Sequence, residues 1–175
     1  MRYGLCGAIA LGVALAVTAQ AQQPTAQNPL DVIPDKMPFN IPYGSPISLK
    51  QAQGLVQAAI DEATRRGWEM NVAVVGPTGD LVAFARMDGA QLASISIAQH
   101  KARTAVRYRR PTRAFEDALQ KSDYKYILSL DDVVASRGGI PLVVDGKLVG
   151  GIGCSGGTGS QDEATCTAAA ATINK

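Results

Sequence analysis

Two hairpin signals, far apart in the chain, most constrain what it can fold into. Gly76-Pro77-Thr78-Gly79 separates the β-branched run 70–75 from a second run, 81–86. Turn residues of this kind between two such runs read as strand, turn, strand. Asp145-Gly146 separates 140–144 from 147–153, and Asp-Gly is among the strongest short-range hairpin signals because both turn positions favour positive φ. Two hairpins supply four strands that pair antiparallel. A regular βαβ repeat with a parallel sheet is excluded.

Helical patterns fill the remaining segments. Ser48-Leu49-Lys50-Gln51 is a capping box, followed by apolar residues at helical spacing from Ala52 to Ala63 and then Gly67 as a C-terminal stop. A second helix is predicted over 94–108, closed by Pro111, and a short third one from Thr112 through Leu119. Residues 126–130 fit a short strand or a turn of helix. Ser160-Gln161-Asp162-Glu163 reads as a second capping box opening a last helix through Ala171. The order α-β-β-α-α-β-β-α predicts an α+β domain: an antiparallel sheet built from hairpins, with helices packed on it.

The N-terminus carries an address. Arg2 precedes an uncharged apolar run, 4–17, and Ala19-Gln20-Ala21 has the small-x-small form of a cleavage site. Residues 1–21 therefore read as a signal peptide, too short for a membrane span, and the expected location is periplasmic or secreted. Cys6 lies outside any lipoprotein-type box, so no stable membrane anchor is expected. Residues 22–46 hold six prolines and form an extended arm. Ile33, Met37, Phe39, Ile41 and Tyr43 argue that its second half lies against the domain or a neighbouring subunit. Residues 47–175 form the domain proper.

Cleavage removes the one charge of the leader, Arg2, and lowers the formal net charge from +2 to about +1. So weak a balance gives no reason to expect nucleic acid as a partner. Cleavage also removes Cys6 and leaves Cys154 and Cys166 in a compartment that permits disulfides. Their spacing alone fits either a bridge closing a loop of about 13 residues or two small buried hydrophobes.

Conventional catalytic signatures are absent. His100 is the single histidine, and with no other ligand at metal-binding spacing it reads as a surface or packing residue. The run 150–157, Gly-Gly-Ile-Gly-Cys-Ser-Gly-Gly, leads from a strand into a capped helix. Amides of Gly156 and Gly157 at such a helix start can hold a carboxylate or phosphate, or the glycines can serve a tight corner. A third cluster gathers Arg86, Asp88, Lys101, Arg103, Thr104, Arg107, Arg109 and Arg110. Lys101, Thr104 and Tyr108 fall on one helix face. The cluster fits a solvated basic face or a pocket for an anionic small molecule.

Seven motifs in order resemble the GlcG/HbpS family of haem-binding proteins: 79–82 (Gly-Asp-Leu-Val), 86–90 (Arg-Met-Asp-Gly-Ala), 101–105 (Lys-Ala-Arg-Thr-Ala), 110–112 (Arg-Pro-Thr), 138–142 (Gly-Gly-Ile-Pro-Leu), 145–147 (Asp-Gly-Lys) and 150–157 with Gln161-Asp162-Glu163. The likeness runs from about 48 to 171, and the Pro-rich segment 37–44 resembles the exported branch. It implies an α+β fold, a homo-oligomer, a small-molecule ligand, and haem or a related tetrapyrrole as cofactor, with haem degradation in some members. It implies a threonine contact to haem, for which Thr104 is the candidate. Other members stand beside glycolate-use enzymes or are fused to corrinoid adenosyltransferases, which keeps an enzyme acting on a small carboxylate as the alternative. Gly76 replaces a frequent Asp. Cys154 and Cys166 replace small apolar residues, and that paired departure favours the disulfide.

Overall fold

In the computed structural model the described residues are Met1 and 29–174. The expected signal peptide, 1–21, falls outside them except for Met1. Met1–Lys36 and Met37–Lys175 form two separate units. The first contributes one described element, a 3-10 turn at Pro29–Asp31.

The second unit contains α1 (Leu49–Arg66), β1 (Asn71–Val75), β2 (Leu81–Arg86), α2 (Ser94–Arg107), α3 (Arg113–Lys121), β3 (Gly139–Val144), β4 (Lys147–Ser155) and α4 (Gly159–Ala170). The strands form one antiparallel sheet in the order β2-β1-β4-β3. The class is α+β, as the hairpins require. Ser48 caps α1 through a complete capping box, and Gly67 closes it in the left-handed region. At the β3–β4 turn Asp145 and Gly146 both take positive φ, the geometry for which Asp-Gly is suited.

Two expectations need correction, and one alternative is settled. The box opening α4 is Thr158 with Gln161, two residues earlier than Ser160. The earlier position is favoured because it frees Asp162 to turn inward. Thr112 does not cap α3; its hydroxyl accepts from the Gly139 amide at 2.9 Å and ties the start of α3 to β3. Of the two alternatives at 126–130, the turn of helix is the one found, a 3-10 turn over Lys125–Ser129.

Alternate strand residues face opposite layers. Val72, Val74, Ile152 and Cys154 pack with Leu55, Ala59, Cys166 and Ala169 under α1 and α4. Ala73, Val75 and Leu148 pack with Ala98, Ala102 and Val106 of α2 on the other face. On that face β4 presents glycines. A Cβ on Gly153 would run into the Ala98 carbonyl, and one on Gly151 would stand 2.6 Å from the Ala102 carbonyl. The glycine run is therefore the bed that lets the α2 backbone lie directly on the sheet. Cys154 and Cys166 are bonded, with their Cα atoms 5.6 Å apart, stitching β4 to α4.

The second half of the arm lies against this domain. Gly44 donates to the Leu148 carbonyl and Leu148 to that of Pro42, both at 2.8 Å, and Ile47 donates to Val149 at 2.9 Å. The arm thus takes the strip of β4 that β1, ending at Val75, leaves open. Among the described residues no helix is long and apolar enough to cross a membrane.

Candidate functional site

The basic cluster and the glycine loop meet, but on each other. Lys101, one turn before Thr104 on the inner face of α2, is 1% exposed. Its Nζ lies 2.7 Å from Asp162 Oδ2. Asp162 Oδ1 accepts from the Gly156 amide at 3.0 Å and the Gly157 amide at 3.1 Å. Asp162 also sits in the first turn of α4, where the helix dipole favours a negative charge. The carboxylate expected at this loop is thus supplied from inside the chain. A buried ion pair costs several kcal/mol of desolvation, repaid only where the geometry is good and further hydrogen bonds meet the remaining sites; two backbone amides do so for Asp162. A shallow cleft of about 380 Å³ does touch Gly156 and Gly157, but the charged residue lining it is Glu69, an acid. The anion site invoked for a small-carboxylate enzyme is filled.

Thr104 is equally committed. Its hydroxyl donates to the Asp132 carbonyl at 2.6 Å and accepts from the Val134 amide at 3.1 Å. It is fully buried and clamps the loop before β3. Arg86 and Asp88 stand exposed at the end of β2 and in the turn after it. His100 is exposed on α2. Among the described residues no His, Cys, Asp and Glu gather to hold a metal.

Tyr108 leads elsewhere. It ends α2, its hydroxyl donates to the Asp131 carbonyl at 2.7 Å, and its ring meets Phe115 edge-on at 5.1 Å. With Phe115, Phe39, Tyr124, Tyr126 and Arg110 it lines a cleft of about 390 Å³ between α3, the 125–129 turn and the arm. An adjoining cleft of about 440 Å³ shares Phe39, Tyr108 and Arg110 and adds Arg107 and Arg109. Both volumes fall in the range of small-molecule sites, roughly 300–1,000 Å³.

Arg110 is the distinctive group. Its guanidinium stands 3.5 Å from the Phe39 ring centre and 4.9 Å from that of Phe115, and its Nε donates to the Tyr108 carbonyl at 3.2 Å. Burial holds its pKa below the usual arginine value. No acidic side chain forms an ion pair with it among the described residues, nor with Arg109, whereas Arg107 is paired with Asp132. Arg109 donates to the Ile41 carbonyl at 3.2 Å and lies over Tyr43.

Five of the nine aromatic residues of the chain therefore gather around one unanswered cation. Sequence reasoning included Tyr108, Arg107, Arg109 and Arg110 but missed Phe39, Phe115, Tyr124 and Tyr126. The available signal was the scarcity of aromatics elsewhere, together with Pro111, which ends α2 just after Arg110.

The family model "Haem degrading protein HbpS-like" matches residues 47–171. Protein GlcG of Escherichia coli K12 is 35% identical over 109 residues, 62% of this chain and 81% of that protein. The corrinoid adenosyltransferase PduO of Salmonella typhimurium is 34% identical over 131 residues, which cover 73% of this chain but 39% of PduO. The crystal structure of HbpS superposes with a TM-score of 0.70 at 28% identity, covering 80% of this chain and 99% of that one. A PduOC:Heme complex superposes with a TM-score of 0.68 at 33% identity, covering 74% and 96%. The family model spans well over half of the chain, and the chain belongs to the HbpS-like family, whose model is described as haem degrading.

Proposed function

We propose that the mature chain is an exported protein that binds haem, or a closely related tetrapyrrole, in the aromatic cleft at the C-terminal end of α2. The observation that carries this reading is Arg110: a desolvated guanidinium between two aromatic rings, with no carboxylate opposite. A flat, apolar ring system bearing carboxylates supplies both missing partners. Its faces stack on Phe39, Phe115 and the tyrosines, and its carboxylates pair with Arg110 and Arg109. The residues present thus fit the group. Export rests on the leader at 1–21, and cell fractionation with N-terminal sequencing should find the mature chain outside the cytoplasm, starting at Gln22.

The test is a titration of the mature protein with hemin, followed in the Soret region. A saturable, stoichiometric shift is expected. A shift no larger than that given by an unrelated basic protein of similar charge would sink the reading. The saturated complex, supplied with a reductant and dioxygen, also tests for degradation: loss of the Soret band faster than for free hemin would extend binding to catalysis.

A further inference from the structure

We infer that Tyr126 is the axial ligand for iron in the aromatic cleft, an inference that rests on the cleft being the tetrapyrrole site. Among the described residues lining the two clefts, the groups able to ligate iron are the phenols of Tyr108, Tyr124 and Tyr126 and the thioether of Met37. His100 sits exposed on α2 outside them, and Cys154 and Cys166 are tied to each other in the core. Ferric iron is a hard acid and favours an anionic oxygen over a thioether, and tyrosinate is an established haem ligand type.

The three phenols are not equivalent. The Tyr108 hydroxyl is held by the Asp131 carbonyl. The hydroxyls of Tyr124 and Tyr126 have no hydrogen-bond partner among the described residues, and their rings stand 5.9 Å apart, tilted by 34°. Tyr126, on the 125–129 turn, is 50% exposed, whereas Tyr124 is half-buried, which leaves Tyr126 the more open of the two to an entering ring. Arg110 lines the same cleft and is left for a carboxylate of the bound ring.

The coordination step balances without redox change. The Tyr126 O–H bond breaks, its proton passes to solvent, the phenolate oxygen bonds to iron(III), and the water or hydroxide previously on that axial position leaves. Metal-free protoporphyrin offers the same faces and carboxylates but nothing for Tyr126 to bind, and this separates the ligand from the site.

The experiment compares hemin and protoporphyrin binding to the wild type, Tyr126→Phe and Tyr124→Phe, with resonance Raman and visible absorption of each ferric complex. The wild type should show a phenolate-to-iron charge-transfer signature. Tyr126→Phe should abolish it and weaken hemin binding by about tenfold or more, on the scale at which changes around a metal site act, while protoporphyrin binding stays within about twofold. Tyr124→Phe should retain the signature. If Tyr126→Phe keeps the signature, or if only Tyr124→Phe removes it, the assignment is overturned while the haem reading stands. If neither hemin nor protoporphyrin binds the wild type, the site reading falls first and takes this inference with it.

Discussion

Two cations associated with α2 have opposite fates. Lys101 is more deeply buried than Arg110, yet it is fully answered: Asp162 faces it, and the Gly156 and Gly157 amides complete the carboxylate. Arg110, just beyond the helix end, is partly desolvated and faces rings instead of an acid. In the sequence both belong to one basic cluster. What separates them is the residue opposite, and that residue comes from a distant segment: α4 in one case, the arm and α3 in the other. A satisfied buried pair holds the fold together, whereas an unanswered cation in a cleft is available for a ligand.

The sharpest way to break this contrast is Asp162→Asn. Lys101 would keep its burial and lose its counter-charge, a change that typically costs 3–5 kcal/mol, so about that much stability should disappear in urea or thermal unfolding. Hemin affinity, measured below the lowered transition, should be unchanged. A loss below about 1 kcal/mol would show that the pair is not the buried lock described.

Next in size is the disulfide. Cys154 lies on β4 just before the glycine loop and Cys166 on α4 just after it, so the bond encloses the segment that carries Asp162. For a loop of this length, reduction or Cys166→Ala should cost roughly 2–4 kcal/mol. The denaturation midpoint of the wild type with and without reductant gives the value. An unchanged midpoint under reducing conditions would remove the bond from the account of this region.

At the other end of the contrast, Arg110→Gln should weaken hemin binding by about 10- to 100-fold, as expected for losing one or two charged hydrogen bonds. Its unfolding free energy should stay within about 0.5 kcal/mol of the wild type, because no folded-state ion pair is lost. The reverse pattern, with stability down and affinity intact, would mean that the stack on Phe39 serves the fold.

Much of the fold was legible because its signals are local. Ser48 with Gln51, Gly67, Asp145-Gly146 and the β-branched run of β1 followed by its turn residues each act within a few residues. The box opening α4 was misplaced because Thr158 and Ser160 each have a partner three residues on, Gln161 and Glu163. Only the inward turn of Asp162 toward Lys101 distinguishes them. The sequence of the glycine loop fits an anion site or a tight corner, and it proves to hold an anion; no local pattern tells that the anion is Asp162. The aromatic cleft was the least legible part. Phe39, Tyr108, Phe115, Tyr124 and Tyr126 share no period and come from the arm, two helices and a 3-10 turn, so tertiary packing alone assembles them.

The smallest expected effect concerns a third kind of charge, paired but near the surface. Arg137 Nε donates to Glu116 Oε1 at 2.7 Å and the Arg137 amide donates to Oε2 at 2.7 Å, joining α3 to the loop before β3. The Arg137 side chain, the stronger cause, and its amide hold the Glu116 carboxyl below its ordinary pKa. A depressed folded value means that the unfolded state takes up the proton first as pH falls. The contribution of Glu116 is therefore fully present above the ordinary carboxylate range, and it is lost as pH drops through that range and then through the folded value. Glu116→Gln should lower stability in the neutral region by that contribution and flatten this part of the acid limb of a stability-versus-pH curve, so that the two curves converge as pH falls. Glu62 and Asp117 are depressed in the same direction by Arg65 and Lys121, so the informative quantity is the difference between variant and wild type. If the two curves stay parallel down to acid pH, Glu116 titrates alike in both states and this pair contributes nothing to folding. The contrast would then narrow to the buried lock at Lys101 and the open cation at Arg110.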